Sequence, residues 1–228
     1  MTDHRIVAAI GAHPDDIELG CSATIARLVE EGATVHPLIL GTGAAARGEL
    51  NATEQAELIA LEDAARKAAL TLGMAPPTFR RLPDNRFDSI AMLDITKHVE
   101  RFLALVTPTL VLTHSFTDLN VDHRRTCHAV MTAARPGLTS VREVLAFEVA
   151  SSTEWASAMF GDFKPTRYVE VTAEHLAKKW AAFDAYPGEM REPPHPRSRR
   201  TLEARAIVRG SEAGYLFAEA FMVLRSGS

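Results

Sequence analysis

Short apolar runs alternate with helix-periodic stretches along this chain, and that alternation predicts an α/β protein with a mostly parallel, Rossmann-like sheet and helices on both faces. Two observations support this reading. Several of the apolar runs are continuous rather than alternating, as strands buried on both faces are. The His, Asp and Glu residues that could do chemistry also gather just after the runs, at the carboxyl ends of the strands, where ligands bind in such sheets.

Ile6–Ile10 reads as a buried strand that cannot continue through Pro14, so the chain turns there. Gly20 leads into a helix beginning near Ser22. Val35–Gly41 is a second strand, with Pro37 placing it at an edge or marking an early position. Glu54–Leu72 has apolar residues at helical spacing and stops at Gly73. Thr78–Leu82 is a third strand, ended by Pro83, Asp84 and Asn85. A helix over Ile90–Val106 precedes a fully buried fourth strand, Thr109–Thr113. A helix over Asp122–Arg135 stops at Pro136 and Gly137, and Glu143–Val149 is a fifth strand. The last third holds a strand at Arg167–Val171, a helix over Ala173–Ala185, a Pro-rich loop around Pro193–Pro196, a helix near Leu202–Arg209 and an apolar tail, Phe217–Leu224. With no repeat and no linker-like tract, residues 1–228 read as one domain.

The 228 residues suffice for one sizeable core, and 46% hydrophobic with 24% charged residues is ordinary for a globular protein. A net charge of −4 argues against nucleic acid or an anionic membrane as partner. Two cysteines, Cys21 and Cys127, make no disulfide framework and read as small buried thiols. No apolar run reaches membrane-spanning length, and the N-terminus lacks a signal-peptide pattern, so the expected location is cytoplasmic.

The segment after the first strand, Gly11-Ala-His13-Pro-Asp15-Asp16-Ile-Glu-Leu-Gly20, places an imidazole and two carboxylates on one strand-to-helix turn. These offer two metal ligands and a spare base. A helix N-terminus capped by Asp15 or Asp16 is the plainer alternative, but it explains one Asp and leaves His13 without a role. The run resembles the signature of the PIG-L/LmbE-like family of zinc-dependent N-deacetylases. Asp118-Leu-Asn-Val-Asp-His123 is similar to that family's second metal motif, and Ser151–Trp155 and Pro194–Ser198 resemble its amino-sugar branch. The resemblance implies Zn²⁺ held by His13, Asp16 and His123, with a fourth position left open, as in catalytic sites. Cys127 and His128 are the rivals of His123 for the third place. It also implies Asp15 as general base and an N-acetylated amino sugar or glycoconjugate as the small-molecule substrate, a second copy of the chain being an open option as partner.

In one respect the chain departs from that pattern. Asn120 stands where many members have a histidine that protonates the leaving amine, and an amide cannot do that. The acid is then His195, His114, or Asp15 acting twice. Candidate substrate contacts are Arg47, Asp84, Asn120, Asp122, Trp155 and Arg197. Of these, Asp122 could instead cap its helix or orient an imidazole, Arg47 could be a solvated loop residue, and Trp155 could be core. Two other classes compete. A non-haem Fe(II) oxygenase also uses two His and one carboxylate, although such enzymes are expected on all-β scaffolds. A nucleotide-binding module would need a Gly-x-Gly-x-x-Gly turn, and the acidic Asp15 and Asp16 would repel a pyrophosphate.

Overall fold

The computed structural model describes residues 5–44 and 52–227. Seven strands form one sheet in the order β3-β2-β1-β4-β5-β7-β6. β1 (Ile6–Gly11), β2 (Thr34–Gly41), β3 (Thr78–Leu82), β4 (Leu110–His114) and β5 (Glu143–Phe147) run parallel. β7 (Ala218–Ser226) pairs antiparallel with both β5 and β6 (Arg167–Glu170). The apolar tail is therefore an inner strand, closing the sheet between its parallel body and the edge.

Period-2 alternation sends successive side chains to opposite faces. From β1, Val7 and Ala9 join a core roofed by α1 (Asp16–Glu30), α2 (Ala52–Leu72), α6 (Ala173–Phe183) and α7 (Arg199–Ala213). Ala8 and Ile10 join the opposite core under α3 (Met92–Val106) and α4 (Val121–Ala133). Both faces are dry, which is why these strands read as unbroken apolar runs. A short α5 (Ser157–Phe160) lies between β5 and β6.

Two local expectations change. β2 is flanked on both sides, so Pro37 does not mark an edge. Backbone groups of Val35 point toward the β3 side, where its carbonyl accepts from Ala75 N–H, and Pro37, two residues on, points the same way. β3 begins only opposite Leu38, so the missing N–H of Pro37 costs no ladder bond there. The first helix starts at Asp16 rather than near Ser22, and it is kinked at Cys21 (φ −148°, ψ 16°). Gly20 is inside it because a Cβ there would sit 2.2 Å from the Phe147 ring.

Candidate metal centre

The chain winds from β1 outward to β2 and β3, then returns so that β4 pairs with the other side of β1. The crevice at this reversal, beyond the carboxyl ends of β1 and β4, is the expected ligand site of a doubly wound sheet. The β1–α1 turn delivers His13, Asp15 and Asp16 into it. The last residue of β4, the loop after it and the first turn of α4 deliver His114, Asp118, and Asp122 with His123, respectively.

His13 Nδ1 lies 3.2 Å from Asp16 Oδ2, and His123 Nε2 lies 3.2 Å from Asp16 Oδ1 and 3.3 Å from His13 Nδ1. These three buried residues each offer one donor atom within 4.8 Å of the others, a geometry able to hold one metal ion. His13, Asp84 and Asp122 form a second such group around the other ring nitrogen of His13. The surroundings favour the first. With Nδ1 of His13 and Nε2 of His123 turned inward, the outward nitrogens both face carboxylates. His13 Nε2 is 3.1 Å from Asp84 Oδ1 and 3.2 Å from Asp122 Oδ2, and His123 Nδ1 is 3.1 Å from Asp118 Oδ1. Carboxylates behind ligating imidazoles fix ring orientation and raise ligand basicity. Two imidazoles and one carboxylate also suit Zn²⁺.

The carboxylates around the cluster are themselves held. Asp118 accepts from Ser152 Oγ, from Thr153 Oγ1 at 2.6 Å and from Asn120 N–H at 2.8 Å. Asp122 Oδ1 accepts from Phe87 N–H at 2.9 Å, and Asp16 Oδ2 accepts from His13 N–H at 2.7 Å. Burial alone would lower the His13 and His123 pKa values. The charges of Asp16 and the neighbouring carboxylates win, raising His13 well above its usual value and His123 to about 9. Burial opposes ionisation of Asp16, but His123, His114 and His13 together hold it well below the carboxylate range.

Asp15 stands at the N-cap position of α1 yet makes no capping hydrogen bond, so capping does not account for it. Its carboxylate instead accepts from Arg197 Nη1 at 2.9 Å. Burial first, then the charge of Asp16, push it up to about 6, against the pull of Arg197. Glu18, one turn into the helix, is pushed up to about 8 by burial, and the Tyr186 hydroxyl donates to it at 3.2 Å.

Several residues expected to touch substrate or move protons take other positions. Asn120 is the N-cap of α4: its Oδ1 accepts from Asp122 N–H at 2.8 Å and its Nδ2 donates to Asn85 at 3.0 Å, so the amide is occupied. Asp122 is fully buried between His13 and Phe87 N–H, where it orients the His13 imidazole, one of the readings its position offered, and it does not cap the helix. Asp84 backs His13 in the same way. His114 has no solvent exposure, stacks on His123 with ring centroids 3.9 Å apart, and accepts from Ala12 N–H at 2.9 Å through Nε2. Burial, with His123 adding to it, lowers it to about 4, so it is a neutral acceptor rather than an acid. His195 lies at the mouth with Nδ1 accepting from Arg197 N–H at 3.1 Å and its ring edge-on to Trp155, which is 54% exposed and therefore not core. Arg47 lies outside the described residues. Neither Cys127, which is buried, nor His128, which is exposed, joins the metal-competent groups. The supporting role of Asp118 was not anticipated, although its place five residues before His123 on the same loop-to-helix run was a usable signal.

Fold and site together define an α/β protein whose crevice, at the sheet's switch point, combines a metal-competent His/Asp group with the Arg197-paired carboxylate of Asp15. The profile of the PIG-L family, described as GlcNAc-PI de-N-acetylase, matches residues 8–134, a span that includes His13, Asp15, Asp16 and His123. The chain belongs to the PIG-L family. It is 28% identical over 181 residues to the uncharacterized deacetylase YaiS of Escherichia coli strain K12, covering 77% of this chain and 87% of that relative. Among solved structures it resembles GalB, the 4-carboxy-2-hydroxymuconate hydratase from Pseudomonas putida KT2440, with TM-score 0.78, 22% identity and 98% of each chain covered. It also resembles the A40926 pseudoaglycone deacetylase Dbv21, with TM-score 0.77, 20% identity, and 99% of this chain and 100% of that chain covered. At these identities the structural likeness is one of fold.

Proposed function

We propose that this protein is a zinc-dependent hydrolase that releases acetate from an N-acetylated amino sugar or sugar conjugate. The observation that carries the proposal is the convergence of His13, Asp16 and His123 on one point, with carboxylates behind both imidazoles and Asp15, outside that group, held by Arg197. Family membership and the deacetylase relatives supply the reaction class. A zinc ion held there supplies Lewis acidity to the acetamide carbonyl and makes a water molecule more acidic.

Within that frame each residue has a task. Asp15 takes a proton from the attacking water as the C–O bond forms, then passes it to the nitrogen as the C–N bond breaks, leaving acetate and a free amine. Arg197 Nη1, donating at 2.9 Å, holds the Asp15 carboxylate in place. Asp118 and Asp122 keep the two imidazoles turned inward. Trp155, exposed at the mouth, offers an aromatic face to a sugar ring. A cytoplasmic location belongs to the same proposal and is supported by two buried thiols left unpaired. Among the described residues no helix is long and apolar enough to cross a membrane. An Fe(II) oxygenase is not favoured by this family or by an α/β sheet.

Elemental analysis of the purified protein, together with acetate release from N-acetylglucosamine and N,N′-diacetylchitobiose before and after chelation, tests the proposal. His123→Ala should lose both metal and activity. Full metal content in that variant would remove His123 from the ligand set. GalB shows that this fold also hosts a hydratase. A protein that releases no acetate, but bleaches the ultraviolet absorbance of an unsaturated hydroxy acid, would assign the site to hydration instead.

A further inference from the structure

Joined to Asp15 through the Arg197 guanidinium, Ser151, Arg191, His195 and Arg197 line a cavity of about 330 Å³. Its lining is rich in donors that have no protein acceptor. Arg197 donates from Nε to Ser151 Oγ at 2.8 Å and spends Nη1 on Asp15 and Glu189, while its Nη2 has no partner among the described residues. The Arg191 guanidinium makes no hydrogen bond or ion pair among the described residues. Because His195 Nδ1 accepts from Arg197 N–H, the ring proton sits on Nε2, which also lacks an acceptor. The Ser151 hydroxyl accepts from Arg197 and keeps its own proton to donate.

The backbone at this point is strained and actively held. Ser151 is a non-glycine residue in the left-handed region (φ 66°). The Glu154 carboxylate fixes it there by accepting from Ser151 N–H at 3.0 Å and Ser152 N–H at 3.2 Å, and Arg205 anchors that carboxylate at 2.8 Å. Such strain collects where a side chain must be aimed. The Pro-rich loop meanwhile presents Arg191, His195 and Arg197 together. A cavity lined by donors, with its nearby acids already paired to Arg197, complements a group that has acceptor oxygens and negative charge.

We infer that this cavity is an oxyanion subsite: it binds a carboxylate or phosphate on the part of the substrate remote from the acetamide. The substrate class narrows accordingly, from neutral N-acetyl amino sugars to acidic conjugates of them. The inference rests on the deacetylase reading for the identity of the substrate, but the binding site itself can be tested without it. Arg197, which contacts both Asp15 and the cavity residue Ser151, joins the two halves of the site, so one substrate can reach both.

Two measurements decide the matter. Calorimetric titration with inorganic phosphate and with malonate should show binding of at least one of them to the wild-type protein, with and without chelator, weakened about tenfold or more in Arg191→Gln. In parallel, kcat/KM for acetate release is compared between the methyl glycoside of N-acetylglucosamine and its 1-phosphate or glycolic-acid glycoside. The acidic substrate should be preferred about tenfold or more, and Arg191→Gln should erase most of that preference. Preference for the phosphate over the glycolate, or the reverse, identifies which anion the cavity takes. The subsite is refuted if neither anion binds, if binding disappears on chelation, or if Arg191→Gln leaves affinity and preference as they were. If no glycoside releases acetate while anion binding still depends on Arg191, the deacetylase reading fails and the subsite stands.

Discussion

The kink in α1 is held by a buried ion pair from elsewhere in the chain, and cutting that pair should loosen the metal-competent turn. Glu219 on β7 accepts from Thr24 N–H at 2.7 Å and Ala23 N–H at 3.3 Å, the free donors that open the second half of the helix. Lys179 on α6 donates to Leu19 O at 2.8 Å, at the end of the first half, and to Glu219 Oε1 at 2.6 Å. Both side chains are more than nine-tenths buried. Glu219→Ala would leave an unpaired buried ammonium and two orphaned backbone donors. Breaking such a pair costs about 3–5 kcal/mol, and at this chain length each kcal/mol lowers Tm by roughly 2–4 °C, so we expect a fall of roughly 6–20 °C. Removing both charges with Lys179→Met and Glu219→Gln should recover most of the loss, because the glutamine oxygen still accepts from Thr24. Asp16 sits in the half of the helix that this pair anchors, so Glu219→Ala should also weaken metal binding in a titration against a competing chelator. Thermal unfolding of the three proteins is the assay. A Glu219→Ala Tm within about 2 °C of wild type would refute the account of how the kink is held.

Three further outcomes follow from the same geometry. Gly20→Ala places a methyl group 2.2 Å from the Phe147 ring and should cost about 1–3 kcal/mol by overpacking, with Gly20→Ala/Phe147→Leu regaining stability in denaturant titrations. Glu18 is raised by burial from 4.5 to about 8, so the folded protein keeps its proton where the unfolded chain has lost it. Stability should therefore fall as pH rises from about 5 to 8 and level off above that; urea midpoints for Glu18→Gln should lose a drop of roughly 3–5 kcal/mol over this window, and parallel curves for the two proteins would refute the assignment. Asp15→Asn should keep its metal but lose roughly 10²–10⁴-fold in turnover, and near-normal turnover in a metal-loaded variant would end its role as base.

The sheet was legible because its strands are dry on both faces. Runs such as Val111–Leu112 and Val144–Ala146 have no polar face to blur them, and the helices between them stop at Gly73 and Pro136 for ordinary steric reasons. The start of α1 was not legible, since Gly20 looks like a boundary unless one knows that Phe147, far along the chain, fills the space a side chain would need. The grouping of His13, Asp16 and His123 was expected from the resemblance of their two motifs to a known family, and the structure brings the three within reach of one ion because both motifs end adjacent strands at the switch point. Orientation of an imidazole by Asp122 was one of two readings its sequence position offered, whereas the duties of Asp118 and Asn120 were hidden, because they depend on partners on other loops: Ser152 and Thr153, and Asn85. Sequence spacing says which residues reach a crevice, whereas backbone partners decide which of them remain free to act.

That distinction bears most on the proton that must reach the leaving nitrogen, since an amide expels a poor leaving group unless it is protonated. The residue at 120 is spent on capping α4 and on Asn85. His114 is closed off from solvent and accepts from Ala12 N–H through the ring nitrogen that faces the site, so it has no proton to give there. His195 commits Nδ1 to Arg197 N–H and lines the outer cavity, outside the metal-competent groups. Among the described carboxylates of the crevice, Asp15 alone keeps an oxygen without a protein donor, and Arg197 holds the other. Asp15 acting first as base and then as acid therefore needs no additional residue. We expect pH–rate profiles of His114→Gln and His195→Gln to keep the alkaline limb of the wild-type profile, even if His114→Gln lowers the whole curve by disturbing the stack on His123. In Asp15→Asn both limbs should disappear from the residual rate. Selective loss of the alkaline limb in either histidine variant would make that histidine the acid and confine Asp15 to the first proton transfer.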